Sequence, residues 1–150
     1  MRVSKPPEIV ELSGATTVFL AGSIENGVAE LWQDIIVEML KDTDIHIFNP
    51  RRDNWNKNLE QKIDNPQFRE QVEWELDYIE KADYVIFYFD PYTKSPITLL
   101  ELGLTASKKP SRCIVICNEP FYRKGNVDIV CERYKIKQVS TLEEAIKLLT

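Results

Sequence analysis

Short apolar runs rich in β-branched and aromatic residues recur along the chain, and helical patterns fill the gaps between them. The runs are TTVFLAGS (16–23), IHIFNP (45–50), DYVIFYF (83–89), RCIVICN (112–118) and IKQV (136–139). Strands that alternate with helices can pair side by side only through crossovers, which demands a mostly parallel sheet with helices on both faces. Unbroken apolar stretches such as VIFYF and IVI suit interior strands that are buried on both sides. No internal repeat or low-complexity segment interrupts the pattern, and 150 residues suit one domain. The expectation is a single α/β domain over residues 1–150, with five strands in a flavodoxin-like or Rossmann-like arrangement.

The helices have sequence marks of their own. Val28, Leu31, Trp32, Ile35, Met39 and Leu40 recur at the three- and four-residue steps of one helix face. Asn65-Pro66 supplies a cap and a first-position proline for a second helix running to about Ala82. A third begins near Pro96, and a last one follows the capping box Ser140-Thr141-Leu142-Glu143.

Parallel sheets bind ligands outside the carboxyl ends of their strands. That rule selects Gly22-Ser23, Asn49 through Arg52, Asp90 through Ser95, and Asn118-Glu119. The polar segment 51–64 reads as a long loop at the same end, a kind that is usually functional or disordered.

Two glutamates are out of place. With Phe68 at zero and about 100° per residue, Val72 falls near about 40°, Ile79 near about 20° and Glu75 near about −20°. Glu75 thus lies on the centre line of an apolar stripe, where an ionised carboxylate needs a partner. It either protrudes at a helix end, pairs with Arg51 or Arg52, or has a chemical task. Glu101 stands inside SPITLLELGL. Thr98-Leu99-Leu100-Glu101 matches a capping box, but Ser95-Pro96 is a better helix start. A start there puts Glu101 in the second turn, among leucines. Two sheltered carboxylates near strand ends suit chemistry at a sugar carbon, one as nucleophile and one as proton handler. Burial raises the pKa of one while a hydrogen-bonded partner stays ionised.

The remaining composition is mostly exclusive. The net charge is −5, which argues against a nucleic-acid polymer as partner; the pairs Arg51-Arg52 and Arg123-Lys124 suit a phosphate or carboxylate, or solvated surface. One histidine and no CxxC pair leave no metal set and no convincing nucleophile–histidine set, so His46 reads as solvated or at the core's edge. Neither GxxxxGK[ST] nor GxGxxG occurs, and no cofactor is expected. Cys113 and Cys117 fall about 13 Å apart on one strand face, too far for a disulfide. With no apolar leader and no run of about 20 apolar residues, a cytoplasmic location off the membrane is expected. Asp90 could bind sugar hydroxyls or merely begin the turn with Pro91; Trp55 could stack on a base or anchor its own loop.

Taken in order, VFLAGSIE, FNPRRDNW, QVEWELDYIEKADYVIFYF, SPITLLELGLTA and FYRKGNVDIVCERY resemble the nucleoside 2-deoxyribosyltransferase superfamily, in its nucleoside 2-deoxyribosyltransferase-like branch. The likeness runs from about Val18 to about Tyr134. It implies that Glu101, in the ELG motif, is a nucleophile that attacks the anomeric carbon, expels the base and holds the deoxyribose as an ester. It implies that Glu75 holds the sugar or shuttles the proton, and that Gly22-Ser23 bind ligand. Where the compact transferases carry an aspartate six residues before the nucleophile, this chain has Ser95, as in monophosphate-cleaving relatives whose serine contacts phosphate. Relatives complete each site from a neighbouring subunit; Asn126 is the matching candidate, with Tyr122 or Arg123 nearby. The implied activity is deoxyribosyl transfer on 2′-deoxyribonucleosides or their 5′-monophosphates by a homodimer or larger homo-oligomer. The alternatives are a deoxyribonucleotide N-glycoside hydrolase and a non-catalytic nucleotide sensor on the same fold. The expected substrate-binding set is Gly22, Ser23, Asn49, Arg51, Asp90, Ser95 and Asn126.

Overall fold

The structure is a computed structural model that describes residues 1–24, 29–53, 56 and 58–150. Among them, six strands form one wholly parallel sheet: β1 (Arg2–Ser4), β2 (Thr16–Gly22), β3 (Ile45–Phe48), β4 (Tyr84–Phe89), β5 (Cys113–Cys117) and β6 (Lys137–Val139). The helices are α1 (Trp32–Met39), α2 (Pro66–Lys81), α3 (Pro96–Ala106), α4 (Lys124–Tyr134) and α5 (Leu142–Lys147). The sheet order is β1-β3-β2-β4-β5-β6. Apart from the added edge strand β1, this is the flavodoxin-like order, and the chain reverses direction across the sheet at β2.

The strand missing from the sequence reading is β1. Three residues are too few to show a period, and this strand exists because the edge of β3 offers a partner: Arg2 pairs with His46 and Ser4 with Phe48. The other five appear where their apolar runs lie. In β4, Val85, Ile86 and Phe87 are fully buried, as an interior strand requires. Each such side chain contributes about 1.5–3 kcal/mol by leaving water.

Right-handed crossovers decide which helix covers which face. Since α1 leads outward from β2 to β3 and α2, α3 and α4 lead the other way, the two sets fall on opposite faces. The core divides accordingly. Trp74, Tyr78, Leu102, Ala106, Val127 and Cys131 pack with Phe19, Phe48 and Phe87 on one face. Trp32, Ile36, Leu40 and Ala145 pack with Val18, Leu20, Ile47 and Ile86 on the other.

Asn65 caps α2 by accepting a hydrogen bond from the Phe68 N–H at 3.1 Å, with Pro66 as the first helical residue. The start of α1 differs from its periodicity. The helix begins at Trp32, Val28 lies outside the described residues, and Leu31 and Ile35 are exposed. The true inward stripe is Trp32, Gln33, Ile36 and Leu40. At α5 the capping box is shifted by one residue: Thr141 accepts from Glu144 N–H at 3.2 Å, and Glu144 reaches back to Ser140 N–H at 2.8 Å. His46 is buried rather than solvated, with Nε2 3.0 Å from Ser4 Oγ and its ring against Phe48. The three cysteines are free thiols in the core.

Candidate active site

The carboxyl ends of β2, β3, β4 and β5 lie along one edge of the molecule, and three groups of polar residues collect there. The first is a set of hydroxyls at the β2/β4 crevice, where the strand order reverses. Ser23 is buried just beyond β2, and its Oγ is hydrogen-bonded to Ser95 Oγ and lies 3.1 Å from Thr93 Oγ1. Thr93 Oγ1 lies 2.7 Å from Ser95 Oγ. The Asp90 N–H donates to Ser23 Oγ at 2.9 Å, tying the end of β4 to the end of β2. Asp90 itself organises the loop: Oδ1 accepts from Tyr92 N–H at 2.9 Å and Oδ2 from Glu30 N–H at 3.5 Å.

Ser95 enters α3 in the left-handed region, with φ 45° and ψ 54°, and its hydroxyl makes no cap bond to the helix. A residue with a Cβ held there costs about 1–3 kcal/mol, a strain that clusters at ligand sites. Gly22 has a packing cause. A Cβ there would stand 2.4 Å from the Trp32 ring and 2.6 Å from the Tyr88 carbonyl oxygen. The indole needs that space because it donates to Ser23 O at 3.1 Å and stacks on Tyr88 with centroids 5.0 Å apart.

The second group is the pair of glutamates. Glu101 is the sixth residue of α3 and is 8% exposed, between buried Thr98, Leu102 and Thr105. Its Oε2 finds no hydrogen-bond partner among the described residues. Burial pushes this carboxyl well above the usual carboxylate range, and the neighbouring Glu75 charge pushes it further. Glu75, on α2, is near enough for its charge to act on Glu101 and is partly buried. Burial raises Glu75 to about 7, against the hydrogen bond from Gln71 and the positive charge of Arg52. With Glu75 ionised, its charge opposes ionisation of Glu101, so the pair keeps a proton at neutral pH.

The third group supports Glu75. Gln71, one helical turn earlier on the same face, donates Nε2 to Glu75 Oε1 at 2.6 Å and to Pro50 O at 3.0 Å. Its Oε1 accepts from Arg52 Nε, and Arg52 also reaches Glu70 at 3.1 Å. Arg52 therefore reaches Glu75 through the Gln71 amide as well as through its own positive charge.

The other residues proposed from sequence occupy different places. Asn49 is buried and its Oδ1 accepts from Arg51 N–H at 3.0 Å, closing a tight turn after β3. The Arg51 guanidinium points to the opposite face, 3.3 Å from Gln33 Oε1, Glu30 O and Ala29 O. Asn126 is exposed in the first turn of α4, at the same end of the sheet. Trp55 lies outside the described residues. Thr93 falls within the Asp90–Ser95 segment selected by the strand-end rule, whereas Gln71 is absent from the sequence reading, although it stands four residues before Glu75. Two surface hollows, one near Asp128, Glu132 and Gln138 and one near Thr16, Asp83 and Arg112, share no residue with these groups. The described residues hold no cluster of metal-ligating side chains, and none of their helices is long and apolar enough to cross a membrane.

A flavodoxin-like sheet with a sheltered carboxylate pair at its strand reversal defines the general class. Residues 15–121 match the family model described as "Nucleoside 2-deoxyribosyltransferase like", and the chain belongs to that family. The match spans β2 through β5 and includes both glutamates and the hydroxyl set, while Asn126 falls beyond it. Among solved structures, the chain is similar to a conserved protein from Enterococcus faecalis V583. The TM-score is 0.62 at 12% identity, covering 90% of this chain and 97% of that one, and the likeness concerns the fold alone. No curated protein matches the chain.

Proposed function

We propose that the protein cleaves the N-glycosidic bond of 2′-deoxyribonucleosides or their 5′-monophosphates and passes the deoxyribosyl group to a second base or to water. The observation that carries this reading is the buried Glu101 carboxyl, unsatisfied at Oε2 among the described residues and under the charge of neighbouring Glu75. A carboxylate kept from water is a stronger nucleophile and a poor structural asset, which suits covalent catalysis.

In the first step a Glu101 oxygen attacks C1′, the bond from C1′ to the base nitrogen breaks, and the base leaves with a proton delivered through Glu75. In the second step an acceptor base or a water attacks C1′, gives its proton to Glu75 and frees the Glu101 carboxylate. Ser23 and Ser95, with Thr93, offer hydroxyls for the sugar or a 5′-phosphate beside the start of α3. A helix start favours an anion. Asp90 shapes the same loop, Gly22 keeps the crevice narrow, and Asn49 and Arg51 hold the segment after β3 in place. A second copy of the chain completes each site with Asn126. Exposed Ile97, Leu100 and Leu104, at the three- and four-residue steps of α3, support such an assembly.

Incubation with deoxyadenosine and free cytosine, and separately with dAMP, tests the reading. New deoxycytidine marks a transferase and free adenine alone a hydrolase. Binding of nucleotide without turnover would favour a sensor and overturn the catalytic assignment.

A further inference from the structure

The proposed reaction needs the two glutamates in different protonation states, and the environment of Glu75 contains a device that separates them. Glu75 faces Gln71 on its own helix, Arg52 from the segment between β3 and α2, and Glu101 from α3. Glu70 is hydrogen-bonded to Arg52. Gln71 is buried and is held at both ends of its amide. Nε2 is divided between Pro50 O and Glu75 Oε1, and Oε1 accepts from Arg52. The Pro50 carbonyl and the Arg52 donor fix the amide's orientation, so Nε2 can only donate toward Glu75. A fixed donor favours the ionised acceptor. Among the described residues Glu101 has no such donor at Oε2.

We infer that Arg52 and Gln71 are positioning residues, whose hydrogen-bond chain keeps Glu75 the ionised member of the pair and leaves the shared proton on Glu101 before substrate binds. The inference rests on the catalytic reading for its purpose, though not for its physics. A substrate that binds at the pair must then move that proton from Glu101 toward Glu75 and the departing base before attack. One proton is conserved throughout: it starts on Glu101 and leaves on the base.

The test uses Gln71→Met, which keeps the length and removes the donor, and Arg52→Met as a second variant if the first folds poorly. Glutamates labelled with ¹³C at Cδ are titrated by NMR in the full chain, without substrate. The Glu75 midpoint is expected to move up by about one pH unit in either variant. In parallel, the acid limb of the kcat/KM profile on the active nucleoside or nucleotide moves up by a similar amount, with KM at the optimum little changed. Arg52→Lys, which keeps the charge, restores part of the shift. Superimposable titrations in parent and variants overturn the inference. A moved titration with no turnover in the parent leaves the hydrogen-bond chain in place and overturns the catalytic reading instead.

Discussion

Two acidic side chains at opposite ends of the sheet meet opposite treatment. At the amino ends, Asp83 is satisfied: its Oδ2 accepts from the Thr17 N–H at 2.9 Å and the Thr17 hydroxyl at 2.8 Å. At the carboxyl ends, Glu101 is buried with Oε2 unpartnered among the described residues and under the charge of neighbouring Glu75. A chain selected only to fold would treat both like Asp83, because an unpartnered buried carboxyl costs stability and a bonded one adds to it. The difference separates an acid that ties two strands together from one that the proposed function assigns to chemistry.

The comparison can be broken most decisively by Glu101→Gln. Base release should fall by about a thousandfold or more, since a carboxamide is no nucleophile; activity near that of the parent would place the chemistry elsewhere. Next in size is Gly22→Ala, whose Cβ would overlap the Trp32 ring and the Tyr88 carbonyl. A loss of about 3 kcal/mol in denaturant unfolding is expected, and an unchanged midpoint would contradict the packing at that end.

The pH dependence of stability sharpens the contrast. Glu75 is raised from the ordinary glutamate range to about 7, and Glu101 is raised as well, so the folded chain holds protons that the unfolded chain has released. Stability contributed by the protonated pair is therefore present below the ordinary carboxylate range and is lost as pH rises toward about 7 and beyond. Unfolding free energies from pH 5 to pH 8 should fall by about 2 kcal/mol, and the fall should shrink in Glu101→Gln, which removes the repulsion. At pH 8 that variant should be the more stable protein although it is inactive. The smallest effect belongs to the amino end. Asp83→Asn should cost about 1–2 kcal/mol by weakening the bonds to Thr17, with activity per folded molecule within about twofold of the parent. A large activity loss there would erase the distinction between the two acids.

Much of this arrangement could be read from residue order. The strands β2 to β6, the Asn65-Pro66 start of α2 and the odd angular position of Glu75 depend on neighbours within a few residues, which a sequence displays directly. Glu101 was legible because Ser95-Pro96 fixes where α3 begins. The rest required the chain to be folded. Three-residue β1 exists only against β3, and the left-handed turn at Ser95 leaves no compositional mark. The link from Arg52 through Gln71 to Glu75 joins a loop to a helix nineteen residues away from Arg52. Arg51 and Arg52 are adjacent and chemically alike, yet they point to opposite faces; only the turn closed by Asn49 decides which one serves Glu75.

The central claim is that Glu101 becomes covalently bound to the sugar, and a trapped intermediate tests it most directly. The protein is mixed with deoxyadenosine or dAMP, quenched in acid within the first turnover, digested and mapped by mass spectrometry. A deoxyribosyl adduct, or a deoxyribosyl phosphate adduct, on the peptide bearing Glu101 and absent from Glu101→Gln is the expected result. Base release without any adduct, or an adduct on another residue, would contradict the account.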